Sequence, residues 1–374
     1  MKKLVCALLS VLLLASVFAG CKSRELVEDT PVESTEKKKT VTEKPPESVT
    51  TPGREVKESK GLKFESNRDG TCRVTGIGSC TDKDVVVPFS SPDGEEVTSI
   101  SDNAFNAALI MESITISDNI TRIGAYAFSD CRNLKSASIP DSVVVLGESA
   151  FSGCESLEWV MLSRNLLAIE DYTFSCCRKM KSITLPNSIS YIGSGAFWGC
   201  TQLESVVIPE NVTEIRAYAF RECRALKKIH IPKCVRLIGS KAFAGCQSLA
   251  EISVAPENDT FFGVQNCIVE RKESKLIAIG NGFSIPSYVG IRAIGPGAIC
   301  MEGEAADLTI PKSVTYFDFE SITGCKNIFY EGTIGEWNSI NKEMGWIRIN
   351  GECQLTCIDG NRLDLSNVYS GGMG

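Results

Sequence analysis

The chain has 374 residues, 43% of them apolar, and a formal net charge of −7. That is enough apolar material for a sizeable core, and without a basic block nucleic acid is excluded as a partner. Because His230 is the one histidine, a Ser-His-Asp or Cys-His site would have to use it, and a zinc site would have to be almost wholly thiolate.

Residues 1–20 have the pattern of an export signal peptide: Lys2 and Lys3, an apolar run from Leu4 to Phe18, then Ala19 and Gly20. The run falls short of the roughly 20 residues of a comfortable membrane span. Small residues directly before Cys21 resemble a bacterial lipoprotein signal, which makes Cys21 the candidate lipidation site, although Phe18 departs from the usual aliphatic residue. The alternative is an ordinary cleaved signal, and both take the protein out of the cytoplasm. Residues 21–60 read as a lipid-anchored, disordered tether. From 22 to 60 they hold nine acidic and nine basic residues, four Pro and no aromatic. Such a segment cannot bury enough apolar area to offset its ordering entropy.

Residues 61–103 are expected to cap a regular array at 104–256 that repeats every 23 residues. Its marks are Ala-Phe pairs ending in Phe105, Phe128, Phe151, Phe197, Phe220 and Phe243, with Thr173-Phe174 in the one gap. From Phe128 onward a Cys follows each Phe by three residues: Cys131, Cys154, Cys177, Cys200, Cys223 and Cys246. An apolar-x-apolar pair comes next (Ile183/Leu185 and Val206/Ile208 are examples), often closed by Pro, and a second apolar pair leads into the following unit.

A fixed period of this length means a solenoid. One unit has about seven core residues at roughly 1.5–3 kcal/mol each, too little to offset fixing 23 backbones at about 1–2 kcal/mol each. Units must therefore stack, each covering its neighbour's apolar face. The apolar-x-apolar stretch predicts strands paired in parallel from turn to turn, with Pro stopping the ladder. The Ala-Phe-x-x-Cys stretch predicts a turn or short helical turn. Gly often precedes it, but Glu170 and Arg216 replace Gly, so that position does not demand positive φ.

The pattern Leu-x-x-Ile-x-Ile-Pro-x-x-Val-x-x-Ile-Gly-x-x-Ala-Phe-x-x-Cys resembles the bacterial surface leucine-rich-repeat family typified by BspA. Gly61-Leu-Lys-Phe and Tyr330-Glu-Gly-Thr-Ile-Gly-Glu-Trp are similar to that family's entry and closing segments, so the resemblance covers roughly residues 61–360. It implies a leucine-rich-repeat solenoid with a parallel β-sheet. It also implies a cell-surface role, which in several members is adhesion to host matrix proteins or to other cells. The period lapses at 257–297, where Gly263–Ile279 reads as an inserted hairpin. Degenerate repeats and a C-terminal cap fill 298–360, and 361–374 reads as a tail.

Of the 17 cysteines, the six periodic ones are expected to be inert buried thiols serving as small apolar residues, with a metal stack as the alternative. Outside the array, Cys72/Cys80 and Cys353/Cys357 are the candidate disulfides. On each strand the residues flanking the middle apolar position point away from the core. One such row alternates in sign: Glu112, Lys135, Glu158, Lys181, Glu204, Lys227. The next two rows are mostly Ser and Thr, interrupted by Trp159, Met161, Val207, Lys228 and His230, with Thr184 among them. These six are the candidate ligand-binding residues, because an apolar patch with a Trp on a polar sheet is the usual makeup of a hot spot; surface packing of Trp159 is the plainer reading. No phosphate loop, nucleophile elbow or metal motif is present, so no catalytic residue, metal or cofactor is assigned.

Three roles follow. The first is a non-enzymatic adhesin binding a protein or glycan, host extracellular matrix included, and touching the cell envelope through its lipid anchor only. The second is an envelope protein assembling with copies of itself, and the last a glycan-active enzyme.

Overall fold

The computed structural model describes residues 57–280, 282, 284–300, 307–349 and 352–366. The export signal, Cys21 and the tether as far as residue 56 lie outside the described residues. The fold begins slightly earlier than expected. Ser59 is buried, and its backbone N–H and side-chain hydroxyl bond the carbonyl and N–H of Val86.

The 23-residue period becomes one solenoid turn with three hydrogen-bonded edges. The front edge is made by the apolar-x-apolar stretches. Its strands are β1 (Asp84–Val86), β2 (Ser113–Thr115), β3 (Ser136–Ser138) and β4 (Trp159–Met161), followed by β5 (Ser182–Ile183), β6 (Ser205–Val206), β7 (Lys228–Ile231) and β8 (Glu251–Val254). Pairing is parallel and advances by one repeat per turn: Ser136↔Trp159 and Ala137↔Val160, then Lys228↔Glu251 and His230↔Ser253. The ladder forms two blocks, β1-β2-β3-β4 and β5-β6-β7-β8. The second apolar pair builds a flank edge of two-residue strands, such as Arg122–Ile123 and Val145–Leu146, also parallel.

The third edge takes the first of the two forms expected at Ala-Phe-x-x-Cys, a turn rather than a short helical turn. It is a ladder of turns without a helix. Two before each Phe and two after it, the backbone is left-handed: Tyr126 and Asp130 have φ of 57° and 56°, Tyr218 and Glu222 both 60°. That alternation aims every second N–H at the next turn. Tyr126 N donates to Glu148 O, Phe128 N to Ala150 O, and Asp130 N to Ser152 O, at 2.7–2.9 Å. The row of Gly just ahead of this edge has a different cause, and as the Glu and Arg replacements indicated, it does not require positive φ. A Cβ on Gly147 would lie 2.5 Å from Ala125 N, and one on Gly239 2.3 Å from Ala217 N, so these positions allow close approach between turns.

The core runs down the middle. Seven buried rings, from Phe105 to Phe243, stack one per turn with centroids 5.0–5.7 Å apart. The periodic cysteines are buried beside them but are more than small apolar residues. Each thiol donates to the carbonyl of the Phe on the preceding turn, at 3.0–3.3 Å: Cys131 to Phe105, and so on to Cys246 and Phe220. A methyl group there would fill some of the space and leave the carbonyl without that donor.

At the end of the array the chain leaves the repeat. It forms an antiparallel meander in which β9 (Phe261–Val264) precedes the expected hairpin of β10 (Cys267–Glu270) and β11 (Lys275–Ile279). β11 then pairs in parallel with Ala293–Ile294, which returns the chain to the solenoid. A second apolar cluster begins here and continues to Leu365. Its front strands are β12 (Asp307–Ile310), β13 (Asn327–Tyr330) and β14 (Gln354–Cys357), paired in parallel. Between β13 and β14 lies helix α1 (Ile334–Ser339), started by a reciprocal capping box of Thr333 and Glu336. Trp337 from α1 packs with Phe317, Tyr330 and Trp346, at centroid distances of 4.7–5.8 Å within the group. The boundary of the tail also needs correction. Arg362–Asp364 forms β15, antiparallel to β14, because the chain reverses at Gly360 (φ 80°) and Leu365 is buried.

Candidate functional site

Strand alternation decides what the front sheet shows. On β4, Val160 enters the core while Trp159 and Met161 face out, 46% and 53% exposed. Two residues along a strand separate them by about 6.6 Å, so the indole and the thioether form one apolar surface. Their cross-strand neighbours on β3 are Ser136 and Ser138. Val207, just past β6, is 80% exposed. Lys228 and His230 face out from β7, and the His230 Nδ1 lies 2.9 Å from the Ser253 hydroxyl. Thr184, just past β5, is exposed as well. The six candidate ligand residues thus lie on one face across four successive turns, with Trp159 and Met161 adjacent and Val207 two turns further along.

The alternating row borders this patch. Glu112 sits between Lys83 and Lys135, with N–O distances of 2.7 and 2.5 Å, and Glu204 binds Lys227 at 2.5 Å. Hydrogen bonds from Lys135 and then Lys83 hold the Glu112 carboxyl down at about 2. Lys83 extends the row by one turn beyond what the periodic sequence indicates, since β1 precedes the regular spacing.

Sequence reasoning passed over a second, half-buried aromatic cluster on the loop edge, with Trp198 exposed. Tyr172, Trp198 and Tyr218 have ring centroids 6.3 and 6.4 Å apart, and the Arg221 guanidinium lies 5.5 and 5.6 Å from the Trp198 and Tyr218 rings. The signal was available: a Tyr two residues before Phe128, Phe174 and Phe220, in every second repeat.

Neither candidate disulfide, Cys72–Cys80 or Cys353–Cys357, is formed in the structure. Cys357 ends β14 and Cys353 directly precedes it. Extended backbone separates them by about 13 Å, beyond the roughly 7 Å limit for a bridge. Cys72 lies near the start of the strand Thr71–Gly76, which carries the chain away before it turns toward Cys80. Burial pushes the array thiols up, Cys131 to about 12. Among the described residues no group of three or more His, Cys, Asp or Glu is placed to hold a metal, and no helix is long and apolar enough to cross a membrane.

A family model described as the BspA type leucine rich repeat region matches in six copies, over residues 98–227, 167–265 and 200–329. Among solved structures, a leucine rich cell surface protein from Faecalibacterium prausnitzii A2-165 is similar with a TM-score of 0.56 and 21% identity. That match covers 77% of this chain and 99% of the other. The T. pallidum leucine rich repeat protein aligns over 52% of this chain and 91% of its own, at 28% identity and a TM-score of 0.47. The pneumococcal vaccine antigen PcpA aligns over 74% and 82%, at 19% identity and a TM-score of 0.45. No curated protein matches the sequence.

Proposed function

Because the chain belongs to the BspA-type leucine-rich-repeat family, whose solenoids are cell-surface interaction proteins rather than typical enzymes, we propose that it is an exported adhesin whose front sheet binds a protein or glycan ligand. Host matrix proteins and the surfaces of other cells are the ligand classes to which this family points. Trp159 and Met161 form the centre of the site, with Thr184, Val207, Lys228 and His230 around it. One observation carries this reading: two large apolar side chains stand exposed side by side on a sheet whose equivalent positions are otherwise mostly Ser and Thr. Exposure of that kind gains nothing for the folded monomer, whereas a partner that covers it recovers the burial energy. The lipid on Cys21 and the tether supply the attachment to the envelope, and mass spectrometry of the mature N-terminus tests that part.

The ligand is to be found by screening the soluble domain against matrix proteins, glycans and bacterial surfaces. Trp159→Ala combined with Met161→Ala then weakens binding by at least about tenfold, in line with hot-spot truncations costing 2 kcal/mol or more, while circular dichroism stays unchanged. Unaltered binding by that variant removes the front patch from consideration. If Trp198→Ala with Arg221→Ala abolishes binding instead, the ligand lies on the loop edge.

A further inference from the structure

We propose that Cys325 and Cys353 form a disulfide that closes the C-terminal cap. Their sulfurs are 4.0 Å apart and both side chains are buried. The array thiols occupy equivalent ladder positions and each is committed to a Phe carbonyl. The C-terminal pair differs on both counts. β13 and β14 pair with an offset of 27 residues, Asn327 opposite Gln354, whereas the two cysteines are 28 apart. The side chains therefore sit one residue out of register and reach diagonally toward each other, so that each sulfur's polar contact is the other sulfur.

Closing the gap to a bond of about 2.05 Å needs rotation about the Cα–Cβ bonds, with the strands already at disulfide-compatible spacing. Cys325 follows Ile322 by three residues, as each array Cys follows its Phe, so the pair replaces the thiol–carbonyl link where the repeat degenerates. The hydrogen bond between the two thiols lowers Cys353 and raises Cys325 in the closed cap.

Formation is an exchange with a small-molecule disulfide such as oxidised glutathione. One of the two Cys thiolates attacks one of its sulfurs and expels the first small thiolate. The other then attacks the protein sulfur of the mixed disulfide and expels the second. The protein loses two electrons and two protons, and the oxidant is reduced to two thiols. The exchange takes place before β15 closes over the site, since the Leu365 N–H caps the Cys353 carbonyl at 2.8 Å. The pairing depends on local geometry alone, while its presence in cells rests on the export reading.

The test uses the full chain in two preparations, one isolated from an oxidising compartment and one refolded in a reduced/oxidised glutathione buffer. Each is alkylated and mapped without reduction. A crosslinked peptide joining Cys325 to Cys353 is expected in both. Reductant should then lower the melting temperature by roughly 5 °C, and it should have no effect on the Cys325→Ser/Cys353→Ser variant. Two alkylated cysteines in the refolded protein, or a Cys353–Cys357 link, overturn the proposal. A bond found after refolding but missing from cells supports the pairing and counts against export.

Discussion

Each Phe carbonyl from Phe105 to Phe220 accepts from a sulfur one turn away, and this pairing fixes the chemistry of the repeat more tightly than hydrophobicity does. Cys177 is fully buried and donates to the Phe151 carbonyl. Cys177→Ala removes both the donor and part of the packing, and a loss of about 1–3 kcal/mol is expected in urea unfolding. The titration of these thiols has a definite sign. Burial raises Cys131 from 9.0 to about 12 in the folded chain. The unfolded chain therefore ionises first, and the buried neutral thiol stabilises the fold fully below pH 9. That contribution is lost progressively as pH rises from 9 toward 12, so the melting temperature should fall steeply above pH 9, and less so in a Cys131→Ala variant. In the native protein at pH 8, iodoacetamide should label Cys176 and Cys234, which are partly exposed, and spare the six array thiols. Labelling of all of them would show that the spine opens. The Phe and Cys series was legible in the sequence because its period is strict. Its hydrogen bond was not, since the acceptor is 26 residues away and only the stacking of turns brings it close.

The turn carrying Trp159 and Met161 is also the least regular element of the array. Ser163 stands in the place of Pro, Glu170 in that of Gly, and Thr173 in that of Ala. Both sheet ladders are interrupted at this level. The front ladder ends at β4 and resumes at β5, and the flank is reduced to a single bridge, Ile169↔Ile192. Arg216 occupies the same position as Glu170 without any interruption, so the extra Cβ there is not sufficient by itself. The loop edge continues unbroken through the irregular turn, with Phe151 N donating to Thr173 O and Phe174 N to Ala196 O. Hydrogen exchange should therefore be faster for the amides of β4 and β5 than for those of β7 and β8, while Phe151 and Phe174 stay protected. Uniform protection along the front sheet would rule out a local weak point. The coincidence of this weak point with the exposed Trp was hidden from sequence reading, which located the deviant residues one by one but not the two edges that yield together.

At the scale of the whole molecule the unit is two turns. The acidic Glu112, Glu158 and Glu204 alternate with Lys135, Lys181 and Lys227. On the loop edge Tyr126, Tyr172 and Tyr218 recur in alternate turns, and Gly153, Gly199 and Gly245 fall in the turns between. The glycine half of the second alternation is steric, and the side chains that face those glycines are Asp130, Cys176 and Glu222, two residues after each Phe, rather than the tyrosines. A Cβ on Gly153 would meet the Asp130 carboxylate at 2.7 Å, and one on Gly245 the Glu222 carboxylate carbon at 3.0 Å. A bulky side chain thus overlies a bare position on the following turn. Deleting residues 181–226 preserves both alternations and should leave stability per turn close to that of the parent. Deleting 181–203 places Glu204 against Glu158 and Tyr218 over Tyr172, and urea unfolding should show a disproportionate loss. Equal stability per turn in the two deletions would dissolve the pairing.

The solenoid, its period and its strands were all readable from spacing. The meander's first strand, β9, and the terminal strand β15 were not, because each depends on antiparallel partners that no repeat announces.

A scaffold assembled from such couplets has a parity. Recombination between copies can lengthen or shorten it without friction only in even steps, so natural length variants of this protein should differ by multiples of a doublet rather than of a single coil.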